Sequence, residues 1–87
     1  MTKRFAYFYL MKRDPEKIQQ VVPAHVEYWG KYKSENYVGG PFTDRSGGLI
    51  TFDATDINEA TSIIMGDPFT INDVLESKWI KEWILEK

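Results

Sequence analysis

An α+β fold is predicted by three observations. Residues 4–11 are aromatic-rich and apolar on both alternating faces. Two segments with helical periodicity follow, each opened by an aspartate. Between them, two short strand-like stretches flank the turn residues Thr43-Asp44-Arg45-Ser46-Gly47-Gly48. The resulting order is β-α-β-β-α, and a strand at the C-terminal end completes β-α-β-β-α-β, the ferredoxin-like split arrangement on an antiparallel sheet.

The first strand places Phe5, Tyr7, Tyr9 and Met11 on one face and Ala6, Phe8 and Leu10 on the other. Apolar character on both faces marks a central strand covered on both sides. Asp14-Pro15-Glu16 supplies an N-cap, a proline at the first helical position and an acid in the first turn. Pro23 has no N–H for the carbonyl four residues back. A short helical turn is therefore expected before it and a main helix over residues 23–34. On that helix Val22, His25, Val26, Trp29 and Tyr32 form the apolar stripe. The break would set free N–H groups of the helix start beside His25, favouring a neutral ring.

Residues 37–42 read as a strand carrying the pair Gly39-Gly40, a sign of a bulge or a close approach. Gly47-Gly48 reads as hairpin turn, Asp44 and Arg45 as solvated turn residues, and residues 49–54 as the return strand. Asp56-Ile57-Asn58-Glu59 resembles a capping box, with Ile57, Ala60, Ile63 and Ile64 as the stripe behind it. Gly66 and Pro68 stop this helix, and a short helical turn follows Pro68. Residues 75–85 fit either period. As a helix, Leu75, Trp79, Ile80, Trp83 and Ile84 make the cleaner stripe, whereas the tryptophans and isoleucines favour a strand. Topology decides for the strand, with Trp79 and Trp83 on one face, Ile80 and Ile84 on the other, and both faces buried.

The 87 residues suit one domain spanning 1–87. Without cysteine there is no disulfide framework, thiolate metal site or cysteine nucleophile, and one histidine excludes a multi-histidine metal site within one copy. No metal and no cofactor are expected. A net charge of −2 argues against a nucleic-acid partner. No apolar run approaches a membrane span, and the basic start lacks the apolar stretch of a signal peptide. A cytoplasmic location away from membranes is expected. Aromatics at 15% exceed what so small an interior readily hides, which points to a pocket or a subunit interface. Two helices cover one sheet face, so a second copy is expected on the other, giving a homodimer.

Pro23-Ala24-His25-Val26 at a helix, Gly39-Gly40-Pro41-Phe42 at a strand and Asp67-Pro68-Phe69 after the second helix together resemble the YCII-related family, from about Tyr7 to Trp83. The resemblance implies a ferredoxin-like fold paired as a dimeric α/β barrel. It also implies a candidate catalytic pair, His25 and Asp67. Most members have no assigned reaction; one similar enzyme type removes chloride from a chlorinated hydroxyquinol, and the barrel also resembles muconolactone isomerases. This chain lacks the Ser/Thr-rich insertion of longer members between the second and third strands.

Each candidate has a structural reading beside the chemical one. His25 is either a core histidine or a base with one ring nitrogen toward a small-molecule substrate and the other held by a carboxylate. Asp67 is an N-cap for the turn at Pro68, a partner for His25, or both. Tyr7, Tyr9, Gly40, Pro41 and Phe42 are candidate substrate-binding residues, with core or interface roles for the tyrosines as the alternative. The function expected is proton transfer or elimination on a small aromatic or unsaturated substrate. The alternatives are a non-catalytic ligand-binding or interaction domain and, ranked last, a haem- and flavin-free monooxygenase.

Overall fold

The computed structural model describes residues 2–86, the Ser34 side chain excepted. Strand β1 (Lys3–Met11) is followed by helix α1 (Pro15–Gly30), a 3-10 turn (Lys33–Glu35), β2 (Val38–Pro41), β3 (Gly47–Ala54), α2 (Ile57–Met65), the short α3 (Pro68–Ile71) and β4 (Leu75–Glu82). The sheet runs β2-β3-β1-β4 with every pairing antiparallel. This is the ferredoxin-like order: the first strand is central and the last is an edge.

The alternation read in β1 sets the layers. Phe5, Tyr7 and Tyr9 are buried toward the helices, with Ile50, Phe52 and Ala54 of β3 beside them. Tyr7 faces Ile50 on one side and Ile80 on the other. The helices complete this core with Val21 and Trp29 from α1, Ala60 and Ile64 from α2, and Phe69 from α3. The other face carries Phe8, Leu10, Leu49 and Trp79, each at least partly exposed. There the Phe8 and Trp79 rings stack across the strands, 5.0 Å apart at 16°.

The C-terminal segment is a strand, as topology required, but it ends at Glu82. Trp83 still donates its N–H to the Arg4 carbonyl at 2.8 Å. Ile84 is 79% exposed, so the burial expected of that residue is not found, while Trp79 and Trp83, about two-fifths exposed, lie on the open face that the expected second copy would cover.

Helix α1 corrects two further expectations. It runs unbroken from Pro15 through Pro23 to Gly30. Pro23 lies on the exposed side, and Gln19, whose carbonyl loses its partner, is exposed as well. Solvent can therefore take the freed acceptor, and the register need not break. The start of α1 lies at Pro15, ten residues before His25, and the argument for N–H groups of a break at Pro23 beside the imidazole falls. The buried stripe is Val21, His25 and Trp29; Val22 and Val26 are 38% and 62% exposed.

The glycines differ from expectation as well. Gly47 and Gly48 belong to β3 and pass tightly over Tyr9. A Cβ on Gly47 would collide with the Tyr9 carbonyl oxygen, and one on Gly48 would sit 2.5 Å from the Tyr9 hydroxyl. Asp56 caps α2 by accepting the Glu59 N–H at 2.9 Å, while Glu59 reaches back to the Thr55 N–H at 3.0 Å. No helix among the described residues is long and apolar enough to cross a membrane.

Candidate functional site

The site is built where α2 gives way to α3. Gly66 ends α2 in a tight turn against Tyr28, whose hydroxyl donates to the Ile63 carbonyl at 2.6 Å. Asp67 follows as the N-cap of α3, its Oδ1 accepting the Phe69 N–H at 3.0 Å. This geometry turns the carboxylate inward, and Asp67 is fully buried. Oδ1 lies 2.7 Å from Nδ1 of His25. The Tyr7 hydroxyl donates to Oδ2 at 3.5 Å.

These partners assign the proton. A carboxylate oxygen already accepting an amide N–H acts as acceptor toward the ring, so Nδ1–H donates and Nε2 is left for a ligand. The ring is also held by its neighbours. Phe69 stacks on the imidazole at 3.7 Å and 10°, and Tyr9 meets it edge-on at 6.1 Å. Orientation and tautomer are thus both fixed, as a proton-transferring histidine requires.

His25 opens onto a cavity of about 360 Å³ between α1, β2 and the hairpin tip. Tyr9, Tyr37, Gly40, Pro41, Arg45 and Phe69 line it together with the imidazole, and Val22 and Val26 form its rim on α1. The outward tilt of those two valines therefore serves the cavity wall. Burial, with the Asp67 charge as the second cause, pushes the Tyr7 and Tyr9 hydroxyls well above the ordinary tyrosine range. Both remain neutral donors at every physiological pH. The Tyr37 hydroxyl shifts the same way for the same two reasons.

The structure brings His25, Asp67, Tyr9, Gly40 and Pro41 together and separates two other candidates. Tyr7 lies beneath the cavity, bonded to Asp67, and does not line it. Phe42 lines a different groove, on the open face of the sheet beside Leu49 and Trp83. Of the pair Gly39-Gly40, Gly39 alone makes the close approach that was expected. A Cβ on Gly39 would meet the Ile50 side chain at 2.8 Å, whereas Gly40 faces open space. Val22, Val26, Tyr37, Arg45 and Phe69 were not singled out for the site from sequence. Only Phe69 carried a signal there, as the aromatic of Asp67-Pro68-Phe69. Among the described residues no group of three or more His, Cys, Asp or Glu is placed to hold a metal ion.

Comparison with known proteins places this geometry in context. The family model for the YCII-related domain matches residues 5–84. The uncharacterized protein YjpA of Bacillus subtilis (strain 168) is 32% identical over 85 residues, which cover 95% of this chain and 99% of that protein. Among solved structures, the 5-chloro-2-hydroxyhydroquinone dehydrochlorinase TftG of Burkholderia phenoliruptrix AC1100, in complex with 2,5-dihydroxybenzoquinone, has a similar fold. Its TM-score is 0.83 at 22% identity, over 93% of each chain.

Proposed function

This chain belongs to the YCII-related family, and on that premise we propose that it is a small-molecule enzyme using His25 and Asp67 for proton transfer or elimination. The observation that carries the proposal is the 2.7 Å contact between Nδ1 and the buried Asp67 carboxylate, with Nε2 left for the cavity. A neutral imidazole so held accepts a proton at Nε2, and Asp67 stabilises the imidazolium that forms. In an elimination the electron pair released by that proton forms a new π bond, and a leaving group such as chloride departs with its own pair. No outside oxidant is needed. The apolar walls and the face of Phe69 suit a planar ring, which agrees with the quinone held by the structural neighbour.

The test is a titration with 2,5-dihydroxybenzoquinone, followed by thermal shift on wild type, His25→Ala and His25→Gln, and by the His25 ring resonances on wild type. Chloride release from 5-chloro-2-hydroxyhydroquinone is measured in parallel. Binding that needs His25, together with turnover, supports the reading. Binding indifferent to His25 refutes it, and His25-dependent binding without turnover of any chlorinated hydroquinone favours a ligand-binding domain.

Two copies pair in this proposal through the open sheet face. The supporting observation is the row Phe8, Leu10, Leu49 and Trp79, which the helices leave uncovered. Burying apolar area contributes roughly 25 cal/mol per Å² before association costs. Light scattering should give about twice the 10.2 kDa chain mass; a 10 kDa particle at micromolar concentration refutes the pairing.

A further inference from the structure

Arg45 sits at the tip of the β2–β3 hairpin, which folds it over the His25 cavity. Among the described residues it is the one formally charged residue on that wall. Its guanidinium has no ion pair or side-chain hydrogen bond among those residues. The contrast with Arg4 is informative. Arg4 is engaged by the Asn36 carbonyl at 2.7 Å, Thr51 Oγ1 at 2.8 Å and Asp53 at 3.3 Å.

The backbone at Arg45 has φ 64°, the left-handed region that glycine or asparagine ordinarily fills in a hairpin. The turn is nonetheless well tied. The Arg45 N–H donates to the Phe42 carbonyl at 2.9 Å and the Phe42 N–H to the Gly47 carbonyl at 2.8 Å. Asp44 Oδ1 accepts the Ser46 N–H at 3.0 Å and its hydroxyl at 2.6 Å. A glycine would satisfy this backbone without strain, so what the arginine adds is its side chain, which is exposed and lines both the His25 cavity and the adjoining groove beside Asp14 and Glu76.

We propose that Arg45 binds an anionic oxygen of the substrate, so that the cavity selects planar organic acids, carboxylates or phenolates, with the reacting proton at His25. The inference rests on the reading of the His25 cavity as the substrate site. An apolar pocket fixes a ring by its walls and fixes orientation by few polar groups. A guanidinium at the mouth supplies the one charge-assisted contact, with a planar fork suited to a carboxylate or a pair of ring oxygens. The proton moves from substrate to Nε2, and the electron pair it leaves delocalises onto the substrate oxygens. Arg45 forms no bond and loses no proton, and stabilises the developing negative charge by position.

The test compares benzoate with its neutral isostere benzamide, each titrated while the His25 ring resonances report occupancy, on wild type, Arg45→Gln and Arg45→Lys. Wild type should bind benzoate on the order of ten-fold more tightly than benzamide. Arg45→Gln should erase that preference and leave benzamide affinity within about two-fold, while Arg45→Lys retains part of it because the charge remains and the fork does not. Arg45→Gly, which relieves the left-handed strain, should behave as Arg45→Gln does with no loss of thermal stability. Equal binding of the two probes by wild type, or a benzoate preference that survives Arg45→Gln, overturns the role of Arg45 and leaves the cavity reading intact. Failure of both probes to move the His25 resonances overturns both.

Discussion

Replacing Asp67 tests the site and the fold together. Its carboxylate accepts from Nδ1–H of His25 at 2.7 Å, from the Phe69 N–H at 3.0 Å and from the Tyr7 hydroxyl at 3.5 Å, with no exposed surface. Asp67→Ala strands three buried donors, each costing about 1–3 kcal/mol, and the helix cap is lost with the Phe69 N–H among them. Relief of the buried charge offsets part of this, so the net loss should be about 3–5 kcal/mol, as for breaking one partner of a buried pair. At roughly 0.05–0.15 kcal/mol per residue, an 87-residue chain has about 4–13 kcal/mol to lose. Asp67→Asn behaves differently. Its Oδ1 can still accept from His25 and Phe69, and its amide can donate to the Tyr7 hydroxyl, so only the charge is lost. Charged acceptors make bonds about twice as strong as neutral ones, and the loss should be about 1–2 kcal/mol. Urea unfolding followed by tryptophan fluorescence measures both values. Two-bond proton–nitrogen spectra of the His25 ring measure the tautomer, which should be Nδ1–H in wild type and mixed in Asp67→Ala. An Asp67→Ala protein within about 0.5 kcal/mol of wild type, with the same tautomer, would refute the reasoning.

The raised hydroxyls of Tyr7 and Tyr9 predict alkaline instability. Their folded-state values lie above the unfolded value near 10. Their contribution is thus complete below pH 10, and it falls above pH 10 by about 1.4 kcal/mol per pH unit for each. Circular dichroism with tyrosinate absorbance should show both groups ionising only as the chain unfolds, and Tyr7→Phe should lower the slope by about 1.4 kcal/mol per pH unit; ionisation ahead of unfolding would contradict their burial. Gly48→Ala should lower stability by about 1–3 kcal/mol and displace Tyr9, because the new methyl meets both the Tyr9 hydroxyl and the Gly40 carbonyl. Unchanged urea stability and unchanged His25 resonances in this variant would contradict the close packing.

What the sequence made legible follows from which physical signals are local. The alternation of residues 5–11 fixed β1 and its two faces because a strand's period needs no knowledge of its neighbours. The Asp67 cap was readable from Asp-Pro for the same reason. Residues 75–82 needed the topology, since their spacing fits two periods. Pro23 misled because the cost of its missing N–H depends on whether water reaches the Gln19 carbonyl, and exposure is a tertiary property. The apolar stripe of α1 came out one residue off at Val21, since Val22 and Val26 also satisfy helical spacing and only the cavity explains their outward tilt. Strand period put Tyr7 and Tyr9 on one face but could not tell the residue under the cavity from the one in its wall. Arg45 carried no such signal. A turn is visible in sequence, whereas what the turn folds back over is not.

The two rims of the sheet are unlike its centre. On one side β2 is only four residues long, includes two glycines and ends in Pro41, which has no N–H to offer. On the other, β4 carries Glu76, Lys78, Lys81 and Glu82 among its eight residues. Short length, proline and strand-borne charge are the devices by which a sheet refuses a further strand. Lateral extension into a ladder of many chains is therefore blocked at both rims, and any association that uses this sheet must run face to face. A self-complementary face contact closes on itself after one partner. The same residues that trim the rims would keep any self-association through this sheet finite, so that an aromatic-rich surface does not become a route to fibres.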